Sequence, residues 1–259
     1  MITDATKLSN QKGSTLIVVM IVLLMLTIVG VFAIRTAMTT LNIATNAQTN
    51  QLLSQSADAP INGLQNQNVG TIRNLGSVIG FAIEDSKVEQ GKEYIFCYRP
   101  TSSLRLANTI SMAVARVGAG GAITAEGPAA AFCDLSADFG SSREAVVTQV
   151  SVKIPVDPPA NSLPGDFLTQ GNNESEGQIT QTGTVKQRIR ITTTAIFPVF
   201  AANQADAQAC VRTRLNDNTD SATAGFVTVA QCLANLGVPV NSQMQEFYLQ
   251  DWIEQLSEI

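Results

Sequence analysis

Histidine is absent from this 259-residue chain, and its absence excludes several kinds of chemistry. Without histidine the chain cannot form a Ser-His-Asp triad or a Cys-His pair, and it lacks the commonest general base and a frequent metal ligand. Residues 118–121 are rich in glycine, but they lack the Lys-Ser/Thr pair that a phosphate-binding loop needs. The sequence therefore predicts a protein that is not an enzyme and that binds no cofactor.

Charged residues are absent between Ser14 and Ile34. Within this segment, residues 16–34 form a run of 19 residues in which only Thr27 and Gly30 are not clearly apolar. As an α-helix the run would be about 28 Å long, close to the roughly 30 Å thickness of the hydrocarbon core of a bilayer. A lone segment in lipid must be helical, because it has to satisfy its own backbone hydrogen bonds. We therefore predict a helix that is retained in a membrane.

The charges at the two ends of this run predict its orientation. Lys7 and Lys12 precede it, against one acidic residue, Asp4, and Arg35 follows it. Because positive charge favours the cytoplasmic side, the N-terminus is expected in the cytoplasm and the large C-terminal part outside.

Two other interpretations of the run remain open. A cleavable secretory signal has an apolar core of about 7–15 residues and a small-x-small cleavage site, and residues 31–33, Val-Phe-Ala, fit such a site poorly. A buried core helix of a soluble protein is the second alternative, and the near-continuous apolar run over a bilayer thickness disfavours it.

The junction before the run resembles a known processing site. Residues 12–17 read Lys-Gly-Ser-Thr-Leu-Ile, which is similar to the junction in type IV pilins and type II secretion pseudopilins. The resemblance implies that residues 1–13 are a prepilin leader. A prepilin peptidase would cut between Gly13 and Ser14 and methylate the new amine of Ser14. Residues 14–60 would stay attached as a transmembrane and head-packing helix.

The fifth residue after this junction is Val18, where most pilins have glutamate. The subset that lacks this glutamate includes PilX-type minor pilins and K-type pseudopilins. Residues 18–31, with Leu26-Thr27, resemble the PilX pattern.

The resemblance implies a structural subunit in the tip or priming complex of a type IV pilus. This subunit would support pilus assembly, adhesion, twitching motility or DNA uptake. Its expected partners are other minor pilins, the major pilin and a large tip adhesin. The expected location is the inner membrane in a single pass, and then the extracellular pilus. A K-type pseudopilin and a signal-anchored periplasmic binding or scaffold protein are the alternatives.

The four cysteines, Cys97, Cys133, Cys210 and Cys232, all follow the run. An even number in an oxidising compartment indicates disulfides, with three possible pairings. Sequential pairing, Cys97 with Cys133 and Cys210 with Cys232, is favoured because it closes the shorter loops. A zinc site is disfavoured, since the chain has no histidine and no C-x-x-C. The net charge of −5 does not favour binding to nucleic acid, which needs a basic surface.

The rest of the chain predicts an α+β, pilin-like fold with one long helix and an antiparallel sheet. No Gly or Pro occurs in residues 32–59, so one helix is expected from Ser14 to about Asp58, which Pro60 and Gly63 end or kink. Residues 61–259 would then form the head. Strands are expected at residues 94–98, 145–154 and 184–197, and a strand or strand-plus-helix at 243–254. Further helices are expected at residues 204–211 and 222–236, and loops near 118–131 and 158–183.

Three smaller predictions concern side chains of the head. Arg188 and Arg190 are expected on a solvated face of their strand. Tyr248 and Trp252 are expected in the core rather than in a carbohydrate platform. Asn216, Asn218 and Asp220 have the oxygen spacing that opens a calcium loop, but Ser221 and Val227 stand where Gly and Glu are needed. A turn segment is the favoured interpretation, and weak calcium binding is the alternative.

Overall fold

The longest element is helix α1, Ser14–Gln65. It belongs to a computed structural model that describes residues 14–101, 108–118, 121–157 and 182–254. The chain divides into two compact units, Met1–Asn50 and Gln51–Ile259. In the first unit the described residues are all helical. The second unit holds the rest of α1 and the head.

Helix α1 does not end at Pro60, which lies inside it. Proline has no N–H group, so the carbonyl of Ser56, four residues earlier, loses its helical partner. The hydroxyl of Thr148 donates a hydrogen bond to this carbonyl over 3.4 Å. Pro60 is itself buried against the head. The tertiary contacts therefore compensate for the proline, and the helix continues for five residues beyond it.

The head contains one antiparallel sheet with strand order β3-β2-β1-β4-β5-β6. The strands are β1 Glu93–Tyr98, β2 Ala113–Val117, β3 Ile123–Glu126, β4 Val147–Lys153, β5 Thr182–Ile196 and β6 Val240–Glu254. In the described part of the head, four short α-helices accompany the sheet: α2 Val69–Ile72, α3 Val78–Asp85, α4 Gln204–Thr213 and α5 Val229–Asn235.

Both faces of the central strands are covered. On one face, Ile61 and Leu64 of α1 pack with α3 against Val150, Val152 and other apolar side chains of the sheet. On the other face, α4 and α5 pack with Leu135 against alternate residues such as Ile95 and Val147. All seven residues of β4 are buried as a result. This two-sided burial explains why β4 buries polar side chains as well as apolar ones.

The structure joins Cys97 to Cys133 and Cys210 to Cys232, which is the sequential pairing. The first disulfide fixes residue 133 against β1. The second connects α4 to α5 and therefore closes the loop between these helices. Both disulfides lie in or against the apolar cluster on the α4 side of the sheet.

The α+β fold with a long N-terminal helix and an antiparallel sheet is confirmed. The strand predictions match β1, β4 and β5 closely, and β6 is a strand throughout, with no helical part. Helix α4 also lies where it is expected.

Several element boundaries are corrected by the structure. The segment near residues 118–131, expected as a loop, contains strand β3. Of the loop expected near residues 158–183, residues 182–183 belong to β5, and residues 158–181 lie outside the described residues. Helix α5 begins at Val229 rather than at residue 222. Gly225 has φ 88°, a conformation that a helix cannot continue through, and Thr228 caps α5 through its side chain.

The contact between Thr148 and Ser56 generates a prediction. Replacing Thr148 with Val leaves the Ser56 carbonyl without a partner, and we expect the free energy of unfolding to fall by about 1–2 kcal/mol. In a Pro60→Ala background the alanine supplies a backbone N–H to that carbonyl, so the loss on T148V is expected to shrink to about half or less. Urea unfolding of the four variants in detergent measures both losses. Equal losses in the two backgrounds would contradict this role of Thr148.

Candidate functional site

The apolar part of α1 is exposed throughout. The most apolar 18-residue window of the helix has a mean hydropathy of 3.2 and no buried residue. Leu16, Leu24 and Phe32 are 60–66% exposed, so apolar side chains are presented on all sides. The hydroxyl of Thr27 donates to the carbonyl of Leu24 over 2.8 Å, which satisfies it inside the helix. Such a helix is long and apolar enough to cross a membrane.

Charged residues are also scarce in the part of α1 that follows this window. Arg35 is the only charged residue from Ser14 to residue 57. The threonines that follow it donate their hydroxyls back to carbonyls four residues earlier: Thr36, Thr39, Thr40, Thr45 and Thr49. The polar groups of this stretch are therefore partly satisfied by the helix itself. Side-by-side packing with similar helices would bring together almost no charge.

The processing junction lies at the start of this helix. Ser14 is the first residue of α1, and Gly13 lies outside the described residues. Val18 is 56% exposed and has no charged neighbour along the sequence up to Arg35. Cleavage, methylation and the role of Val18 remain predictions.

A second feature is a row of buried charges in the head. Glu93, Lys153 and Arg190 lie side by side on β1, β4 and β5, because the register pairs Glu93 with Lys153 and Lys153 with Arg190. All three are at most 6% exposed. The loop that follows α4 covers them with Asp217 and Asp220, which are 3% and 1% exposed.

The loop carboxylates contact both cations. Nη1 of Arg190 lies 2.8 Å from Oδ2 of Asp217 and 2.8 Å from Oδ1 of Asp220. Nζ of Lys153 lies 3.1 Å from Oδ2 of Asp220. Arg190 also contacts Glu246 of β6, with Nη2 and Oε1 2.6 Å apart. The loop is thus fixed to neighbouring strands of the sheet.

Glu93 holds the same loop through its backbone. Its carboxylate accepts hydrogen bonds from the backbone N–H groups of Asn216 and Asp217, over 2.8 and 2.9 Å, and from the hydroxyl of Ser151 over 3.1 Å. Burial raises the pKa of Glu93, although these backbone hydrogen bonds act in the opposite direction.

The pKa of Asp217 shifts in the opposite direction from that of Glu93. Burial alone would raise its pKa, but hydrogen bonds from Thr219 and Arg190 and the charge of Lys153 outweigh burial and lower the pKa below the usual 3.8. An ionised Asp217 therefore stabilises the folded head.

The placement of Arg190 and Arg188 corrects a sequence expectation. Both are buried, at 6% and 9% exposure, rather than on a solvated face. Strand alternation placed them correctly on one face, but it could not show that a loop from residues 216–223 covers that face. The guanidinium group of Arg190 can be buried because the loop supplies carboxylates with it.

The calcium candidates lie in this loop and have other contacts. Asn216 bonds to Glu93 and Gln149, and the side-chain amide of Asn218 donates to the carbonyl of Phe226 over 2.8 Å. Asp220 faces Lys153 and Arg190. Cationic side chains of the chain itself therefore occupy the position beside Asp220 that a calcium ion would need.

Comparison with known proteins decides the nature of the N-terminal helix. Residues 12–62 match the family model of the PilX N-terminal region. The N-terminal segment is that of a PilX-type pilin. Searches of curated proteins and of solved structures gave no match.

The match covers the junction, the apolar run and α1 as far as residue 62. An N-terminal segment of this kind supports a type IV pilus minor pilin in general terms, with an inner-membrane anchor and with other pilus components as partners. The proteins of the matched family are structural subunits of the pilus.

The sequence patterns did not indicate Glu93, Lys153 and Asp217 as members of this site. A usable signal was present for Lys153, since it ends a strand in which the other residues are uncharged. Glu93 and Asp217 are far apart in the sequence and gave no such signal. Tyr248, expected in the core, is 53% exposed, whereas Phe247 and Leu249 on the other face of β6 are partly buried. The side chain of Trp252 lies outside the described part.

The lowered pKa of Asp217 predicts a pH dependence of stability. Because the unfolded chain binds this proton at higher pH than the folded chain does, the contribution of Asp217 is complete above its unfolded pKa and is lost as the pH falls through its folded pKa. At neutral pH, D217N should lower the free energy of unfolding by about 3 kcal/mol. This difference should shrink as the pH falls well below 3.8.

Denaturant unfolding of the native chain and of D217N over this pH range measures the effect. E84Q is the control, since Glu84 forms an exposed ion pair with Lys87, which is worth about 0–1 kcal/mol. A loss for D217N that does not change with pH would contradict the assignment.

Proposed function

We propose that this chain is a minor pilin that acts in the tip or priming complex of a type IV pilus, and that supports pilus assembly and the adhesion, twitching motility or DNA uptake that depend on it. The observation that carries the proposal is a helix of the PilX type that has no charge from Ser14 to Ile34 and has Val18 at the fifth position after Gly13. A prepilin peptidase, other minor pilins, the major pilin and a large tip adhesin are the proposed partners.

The physical argument concerns the missing carboxylate. In an apolar bundle an ionised carboxylate without a partner is costly, by about 2.5–3.5 kcal/mol on insertion scales. A subunit along the shaft can pair such a group with the amine of its neighbour, whereas a terminal subunit lacks a neighbour on one side. Val18 avoids this cost, so the helix suits a terminal position.

In the proposed path, the chain first inserts in the inner membrane with its N-terminus in the cytoplasm. The peptidase removes residues 1–13 there and methylates the amine of Ser14. The helix then moves from lipid into the filament, where other pilin helices replace lipid around the same exposed side chains. No part of this path needs a catalytic residue of the chain.

The mature N-terminus tests the processing step. Mass spectrometry of the protein recovered from membranes should find a chain of 246 residues, 13 fewer than the full 259, that begins with N-methylated Ser14. A matched G13A variant should keep its leader, because the junction glycine is changed. An intact Met1 in the native protein, or a cut after residue 33, would overturn the pilin proposal.

Copy number in the filament tests the terminal position. Val18→Glu should raise the number of copies per sheared pilus, because the new carboxylate can pair with a neighbouring amine along the shaft. Val18→Leu is the matched control and should leave the copy number unchanged, since it keeps the position apolar. Quantitative mass spectrometry of sheared pili measures both variants. Equal copy numbers in the two variants would contradict the role given to Val18.

A further inference from the structure

The two edges of the sheet differ in how they are protected. One edge is β3, which has four residues and carries an ion pair between Glu126 and Arg116 at 3.0 Å. The other edge is β6, which has 15 residues. Among the described residues, no strand pairs with the outer side of β6. A short, charged edge is a usual protection against strand addition, and a long edge is the exposed case.

Strand β6 also lacks the other protective features. It contains no Pro, Lys or Arg, and it pairs with β5 without a break from Val240 with Ile196 to Glu254 with Thr182, so it contains no bulge. Met244 and Tyr248 are 46% and 53% exposed. The outer backbone groups of β6 are therefore available as a template for another strand.

Among the described residues, the first eight residues of β5 pair with β6 alone. The pairing of β4 with β5 ends at Lys153 and Arg190, whereas β5 and β6 continue for eight more pairs, from Ile189 with Phe247 to Thr182 with Glu254. A two-stranded ribbon is marginally stable in water, and a third strand or further packing is needed to stabilise it. A strand added to the outer side of β6 would supply the third strand.

An apolar recess lies beside the base of this ribbon. Phe247 and Leu249 of β6 are half-buried there. The recess has a volume of about 240 Å³, and its apolar lining comes from α1, α2, α3, β5 and β6: Leu64, Ile72, Ile79, Ile189, Phe247 and Leu249. An added strand would have alternate side chains on this face, where apolar residues would fit.

The charge of β6 indicates the chemistry of the partner. The strand contains Glu246, Asp251 and Glu254 and no basic residue. Glu246 already contacts Arg190 of β5, but β6 contributes no base of its own. Two copies of β6 side by side would therefore bring their acidic residues together, which is unfavourable. A basic strand would be favoured, and Tyr248 could also contact a cation through its ring.

We propose that the outer edge of β6 binds an extended segment of another protein, which adds antiparallel to the sheet and alternates apolar with basic residues. The apolar side chains fill the recess beside Phe247 and Leu249, and the basic side chains lie on the face of Glu246 and Tyr248. This docking edge goes beyond the position of the subunit in the filament, and it depends on the geometry of the sheet and the charge of β6.

Strand β5 suggests a probe, since it already pairs with β6 and has the proposed pattern. A synthetic peptide with the sequence of residues 182–192, Thr-Gly-Thr-Val-Lys-Gln-Arg-Ile-Arg-Ile-Thr, carries a fluorescent label. A control peptide has Glu at its three basic positions. Anisotropy measures binding to the full chain in detergent, with detergent alone subtracted, and hydrogen exchange measures the amides of β6.

The basic peptide should bind, and it should slow exchange at roughly half of the β6 amides, those on the outer side. The acidic peptide should bind at least about tenfold more weakly. The double variant M244K/Y248K should lose about tenfold in affinity for the basic peptide, because it adds positive charge at the edge. V88K is the matched control, since Val88 is 89% exposed and lies before β1, and its affinity should equal that of the native chain.

Three results of the peptide experiment would overturn the proposal: neither peptide binds, both peptides bind equally, or binding leaves the hydrogen exchange of β6 unchanged. A chain that dimerises through β6, with a dimer that M244K/Y248K dissociates, would also overturn it, because the occupant would then be a second copy.

Discussion

An apolar helix with almost no charge cannot remain in water, and this constraint governs the N-terminal part of the chain. From Ser14 to residue 57, Arg35 is the only charged residue, and the most apolar window has no buried residue within the chain. The helix needs lipid or other helices around it. In the proposed path, the same exposed surface serves first in a membrane and then among pilin helices, because both surroundings are apolar.

The head follows a different rule, in which buried charge is matched by buried charge. Glu93, Lys153 and Arg190 form a row across three strands, and the loop with Asp217 and Asp220 covers the row. Burying these groups singly would be costly, but together they fix the loop to the sheet. The disulfide between Cys210 and Cys232 closes the same region covalently. Ion pairs therefore fix the loop to the sheet, and the disulfide joins the two helices between which the loop runs.

The sheet gives the head its one long edge. Its central strands are covered on both faces, and β3 ends it with a short, charged edge, whereas β6 ends it with a long one. A subunit of a filament has to contact several partners, and helix α1 and β6 offer surfaces of different kinds. The helix presents apolar side chains, and the strand presents backbone groups with a recess beside them.

The sequence by itself determined the long helix, the resemblance to PilX-type pilins and the strands β1, β4 and β5, and it favoured the observed disulfide pairing without deciding it. These depend on local composition and short-range spacing, which the chain carries wherever it folds. Only the tertiary structure decided the burial of Arg190, the exposure of Tyr248 and the passage of α1 through Pro60. Each of these depends on contacts that are distant in sequence, such as Asp217 for Arg190 or Thr148 for the carbonyl freed by Pro60. Alternation along a strand assigns a residue to a face, but what covers that face is set by how the rest of the chain packs against it.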